Sequence, residues 1–200
     1  MKQFLYILFI LAVVGSIEVL HLLFPANKVT EAAKDADLFI SNSRLYAKEH
    51  AYERSLLHLE LAIKSIEDME EKLDAEARKT VDKAIKELRL IYLEIKEHRL
   101  DNTDMNHAFT KTMNALTYAE LKVTEHLIES DDYHNAMVAL KSGMIHIENA
   151  LKFADKGHLA YELEIYTQLD SLIDHSEMSK KEIVFELDKM MAELNYLVEE

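Results

Sequence analysis

Apolar positions recur along most of this chain at spacings of three, four and seven, the signature of helices with one buried face. Between residues 52 and 73 the stripe is Tyr52, Leu56, Leu59, Ile63, Ile66 and Leu73. Between 74 and 98 it is Ala77, Val81, Ala84, Leu88, Ile91 and Ile95, with Asp74 placed to cap the helix start. The pattern predicts further helices over about 30–48, 105–129, 133–155, 158–174 and 179–200. The polar stretch Leu100-Asp101-Asn102-Thr103-Asp104 is the clearest break. Gly157 is expected to close the fifth helix, and Ser179-Lys-Lys-Glu182 reads as a capping box for the seventh. The seventh would bury Ile183, Leu187, Met190, Leu194 and Leu197, preferably against its own bundle.

A shift of 81 residues superposes two segments. Tyr52, Leu56, Leu59, Ile63, Ile66 and Glu67 meet Tyr133, Met137, Leu140, Met144, Ile147 and Glu148. Each copy follows a helix that ends in a short polar turn, and each tyrosine is expected to staple that turn. Ala62, Ala136, Ala139 and Gly143 would allow close helix approach. The expected fold is all-α: an up-and-down antiparallel bundle built from two similar helical hairpins, with an N-terminal hydrophobic helix. The expected divisions are 1–26 as a signal anchor or signal peptide, 27–100 as the first helical repeat, and 101–200 as the second repeat plus the C-terminal helix.

Residues 4–24, FLYILFILAVVGSIEVLHLLF, form an apolar run of 21 residues behind Lys2 and before Pro25. That is long enough to span a bilayer, and its first part is also a signal-type hydrophobic region with a short-residue exit near Gly15. Glu18 and His21 sit towards the exit end. An uncleaved anchor is preferred to a cleaved signal. Either places the remainder outside the cytoplasm, at the periplasmic or extracytoplasmic face of the inner membrane. The membrane is thus one expected partner.

Composition narrows the chemistry. One proline and three glycines in 200 residues are too few for sheets joined by tight turns or for a phosphate-cradling loop. The absence of cysteine removes disulfides, thiolate metal sites and cysteine nucleophiles together. A net charge of −14 with interspersed Lys and Arg argues against nucleic-acid binding.

Nine of the ten histidines follow the apolar run. None stands in Glu-x-x-His, the spacing that aims two ligands at an interior metal pair, and none forms His-x-x-x-His. Asp104-x-x-His107, Asp131-x-x-His134 and Asp155-x-x-His158 occur near predicted helix starts or turns. No tight metal site and no cofactor are expected. His58, His134 and His146 are the candidate metal residues should a labile inter-helix site exist. No serine lies on a strained strand-to-helix elbow, so no catalytic residue is assigned and no enzyme is expected.

Asp131-Asp132-Tyr133-x-x-Ala136 resembles the turn of a tetratricopeptide hairpin, but that repeat has a period of about 34 residues. Residues 114–151, NALTYAELKVTEHLIESDDYHNAMVALKSGMIHIENAL, resemble the closing hairpin of the YfdX family through "NAL" and "YHNAMVALKSG". The resemblance implies an exported helical protein linked to stress and drug tolerance, without an established reaction. It carries no catalytic residues across. The expected function is therefore that of an exported or membrane-anchored helical bundle. It would act by binding a protein partner, a second copy or a small apolar ligand. The alternative is a periplasmic metal-binding protein using its scattered histidines.

Overall fold

The computed structural model describes residues 25–174 and 178–199. The expected signal or anchor at 4–24 lies outside the described residues. Among the described residues there is no strand, and no helix is long and apolar enough to cross a membrane. Seven helices follow in order: α1 (Pro25–Lys48), α2 (Tyr52–Glu70), α3 (Ala75–Lys96), α4 (Asn102–Glu129), α5 (Tyr133–Phe153), α6 (Leu159–Asp174) and α7 (Lys180–Glu199).

Local chemistry sets the ends. Pro25 suits the first turn of α1, where no intrahelical N–H bond is lost. Asp74 accepts from the N–H groups of Glu76 and Ala77, as its position before the α3 stripe suggests. Asp101 caps α4 through the Thr103 N–H, so α4 starts three residues before Met105, the expected start. The Glu182 carboxylate accepts from the Ser179 backbone N–H, closing the capping box at the head of α7. Gly157 does not close α5. That helix stops at Phe153, with extended Ala154 after it, and Asp155 then draws the Gly157 and His158 N–H groups onto its carboxylate.

With so few glycines, helix ends use other residues in the left-handed region. His50 (φ 59°) donates its N–H to Ala47 and the next N–H, from Ala51, goes to Tyr46. Asp131 (φ 63°) and Asp132 repeat both bonds, to Ile128 and Leu127. This pairing is the Schellman closure, and the two copies stand 81 residues apart. His98 and Arg99 make a third, after α3.

The same offset relates the buried faces. Ser55, Leu59, Ala62, Ile66 and Met69 of α2 are all buried, and so are Ala136, Leu140, Gly143, Ile147 and Ala150 of α5. Ile40, Ser43 and Ala47 of α1 correspond to Leu121, Thr124 and Ile128 of α4, also buried. The staples differ. Tyr52 is half-buried, its hydroxyl 3.0 Å from His50 Nδ1 and its ring edge-on to His98. Tyr133 is 49% exposed, because Asp131 replaces the histidine at the turn.

α4 is the axle of the bundle. It packs against α1, α3, α5 and α7, while α1, α2, α3, α7, α6 and α5 touch in that order around it and back to α1. Every residue from 108 to 121 is consequently buried. α7 buries Leu187, Met190, Leu194 and Leu197 within its own bundle, against α4 and the edge of α3. Gly143 faces α4 closely: Thr117 Oγ1 donates to its carbonyl at 3.3 Å.

Candidate functional site

A helix buried on all sides must satisfy its polar groups within the protein. α4 does so partly by itself. Thr112, Thr117 and Thr124 donate their hydroxyls to the carbonyls of Ala108, Met113 and Glu120, one turn back. His107, Asn114 and Glu120 instead meet residues beyond α4, and two polar clusters form along the axle.

The first lies where α1, α4 and α5 meet. Thr30 Oγ1 donates to Glu120 Oε2 at 2.9 Å. Asn149 Nδ2 donates to Asp37 Oδ2 at 2.7 Å, and His146 Nδ1 lies 3.1 Å from the same oxygen. Burial pushes the Glu120 carboxyl above its ordinary range, opposed by His146, Thr30, Ser142 and Lys34. Ser142 Oγ is near enough to Glu120 to favour its ionised form, yet outside hydrogen-bonding geometry. Asp37 Oδ1, Glu120 Oε1, Ser142 Oγ and His146 Nε2 are buried without a hydrogen-bond partner among the described residues.

The second cluster lies between α4 and the start of α6. Asn114 Nδ2 donates to Glu162 Oε1 at 2.7 Å. Glu162 has no exposed surface, and burial raises its carboxyl to about 7 against the pull of Asn114 and the His158 charge. A carboxyl titrating near neutrality is a familiar sign of acid–base work. Such a group must also reach the proton it moves, and Glu162 offers nothing to a molecule arriving from solvent. Towards the surface, His158 Nδ1 is 2.9 Å from Asp155 Oδ1, and the His158 ring lies 5.3 Å from that of His107. The bond with His158 is the main reason the Asp155 carboxyl sits below its ordinary range.

The three candidate metal residues are dispersed. His58 of α2 is half-buried and stacks on Tyr46, with centroids 5.2 Å apart. His134 is exposed at the head of α5. His146 is fully buried and spoken for by Asp37. His134 and His146 are about 18 Å apart along one helix at 1.5 Å per residue. Among the described residues, no three His, Asp or Glu side chains are grouped so as to hold a metal ion.

The surface carries a further feature. α6 packs chiefly on α5, and α7 chiefly on α4. The two splay apart over a groove of about 400 Å³ lined by Tyr161, Glu164, Ile165, Ala192, Tyr196 and Leu197, with Glu193 at the same wall. Tyr161 and Tyr196 are 53% and 55% exposed, and Phe185 stands 67% exposed on the same stripe of α7 as Ala192. The sequence stripe predicted the buried face of α7 but held no sign of this gap, which depends on how two helices diverge.

Comparison with known proteins adds no relative: no family model matches the chain, and neither a curated protein nor a solved structure does.

Proposed function

We propose that the chain is an exported or membrane-anchored helical bundle, built up-and-down from two similar hairpins, that works by binding a small apolar ligand. The observation that carries this is the open groove between α6 and α7. Its volume is in the range of small-molecule sites, about 300–1,000 Å³. Its walls are aromatic and aliphatic, and two glutamates stand beside them as the polar groups that orient a ligand. The buried Glu120 and Glu162 carboxyls are not among the residues that line this groove, which favours binding over catalysis there. The apolar run at 4–24 supports export, and the resemblance of residues 114–151 to YfdX-type proteins points the same way.

A neutral apolar fluorophore, N-phenyl-1-naphthylamine, tests the groove in the full chain. The parent is expected to bind it saturably. Ala192→Phe, which fills the groove from an exposed position without removing a core contact, is expected to weaken binding tenfold or more. Equal binding by parent and variant, or none by the parent, overturns the proposal for this groove. Export is read separately: a reporter fused after Glu200 should be active outside the cytoplasm, and activity confined to the cytoplasm refutes it.

A further inference from the structure

At the end of the bundle where α5 gives way to α6, two imidazoles from distant parts of the chain meet. His107 comes from the first turns of α4, and His158 from the turn ahead of α6. We infer that His107 and His158 form a labile site for a divalent transition-metal ion of the Zn²⁺, Cu²⁺ or Ni²⁺ class, with Asp155 holding one of the two ligands in place.

The spacing fits. Imidazole nitrogens bind such an ion at about 2.0–2.1 Å, so two rings on one tetrahedral centre have centroids about 5 Å apart. The observed separation is 5.3 Å, with the rings inclined at 41°. His158 already has the arrangement that metal-binding histidines use. Its Nδ1 is engaged by a carboxylate, which fixes the ring and leaves Nε2 as the ligating atom. Asp155 is itself fixed, because its Oδ1 accepts the N–H groups of Gly157 and His158. Both rings are half-buried, so an ion can reach them from solvent.

The charges facing the pair are mixed. Lys111 repels a cation, whereas Asp155 and Glu87 attract one, and Glu162 is within electrostatic reach of His158. Among the described residues no third His, Asp or Glu is grouped with the pair to hold a metal. Water must therefore complete the coordination shell, which makes the site weak and exchangeable rather than a closed structural one. Imidazole as the dominant donor suits Zn, Cu and Ni rather than Mg or Ca.

The test uses the full chain without an affinity tag. Calorimetric titration with Zn²⁺ near pH 7.5 should show one reversible equivalent. His107→Gln and His158→Gln should each weaken it tenfold or more, and Asp155→Asn about tenfold, the lower end for loss of a carboxylate behind a ligand. Electron paramagnetic resonance of the parent loaded with one equivalent of Cu²⁺ should show two nitrogen ligands, falling to one in either glutamine variant. Unchanged Zn²⁺ affinity in folded variants means that the rings are only in contact, and overturns the site. Fewer than two nitrogens on Cu²⁺ in the parent overturns it without recourse to any variant.

Discussion

A chain lacking residues 179–200 is expected to lose its native fold. α7 buries Leu187, Met190, Met191, Leu194, Leu197 and Val198. A buried aliphatic side chain of this size is worth about 1.5–3 kcal/mol relative to its exposed state. Six of them together match the whole net stability of an ordinary domain, about 5–15 kcal/mol. The deletion also strips the wall that α7 forms over α4, the helix with the fewest solvent-tolerant positions. Polar anchors go with it: Thr80 donates to Asn195 at 3.1 Å, Lys83 pairs with Glu199, and Lys180 reaches the Glu129 carbonyl at 2.6 Å and Asp131 at 3.0 Å. Circular dichroism should show reduced helicity without a cooperative melt, and the truncated chain should aggregate. A truncated chain that remains folded, and changes only from dimer to monomer, would make α7 a dimerisation element instead.

α7 is also where the sequence was most legible. Its capping box, its place in its own bundle and its stripe from Leu187 onward followed from spacing and from the short link to α6, while Ile183, in the first turn, is only half-buried. α3 behaves likewise: all six residues of its expected stripe are buried. These helices have one apolar and one polar face, so periodicity reports their orientation. α4 does not work that way. Between residues 108 and 121 its only charged residues are Lys111 and Glu120, and its threonines and Asn114 read as a weak polar face. They are buried nonetheless: Thr112 and Thr117 donate to the carbonyl one turn back, Asn114 donates to Glu162, and the Thr110 hydroxyl is buried with no hydrogen-bond partner among the described residues. Few charges in a long stretch was the available signal, and it marks a helix enclosed on all sides.

The polar clusters were illegible for a different reason. Asp37 and His146 are 109 residues apart, and Asn114 and Glu162 are 48 apart. No local spacing encodes such pairs, since each depends on the register of two helices across the bundle. His146 was a candidate metal residue by type alone, and the structure gives it a carboxylate partner in the core. Asp155 and His158 stood out as a spacing, but the approach of His107 from 51 positions earlier required the fold.

Replacing Glu162 by Gln should change how stability depends on pH, with little effect in acid. The Glu162 carboxyl is raised from 4.5 to about 7 by burial. The folded state therefore holds a proton that the unfolded chain releases between those values. A raised carboxyl favours the fold fully below its unfolded value, and this advantage is lost as pH rises through about 7. At 1.36 kcal/mol per tenfold change in proton affinity, the loss reaches about 3 kcal/mol above pH 8. Glutamine can still accept from Asn114 Nδ2 through its amide oxygen, and it has no proton to lose. Urea unfolding at pH 5 should give parent and variant similar stabilities. At pH 8.5 the variant should be the more stable by up to about 3 kcal/mol. Glu120, also raised by burial, slopes in the same direction and is present in both chains, so the difference between them isolates Glu162. An equal gap at both pH values would mean that Glu162 keeps one protonation state throughout and would overturn the expectation.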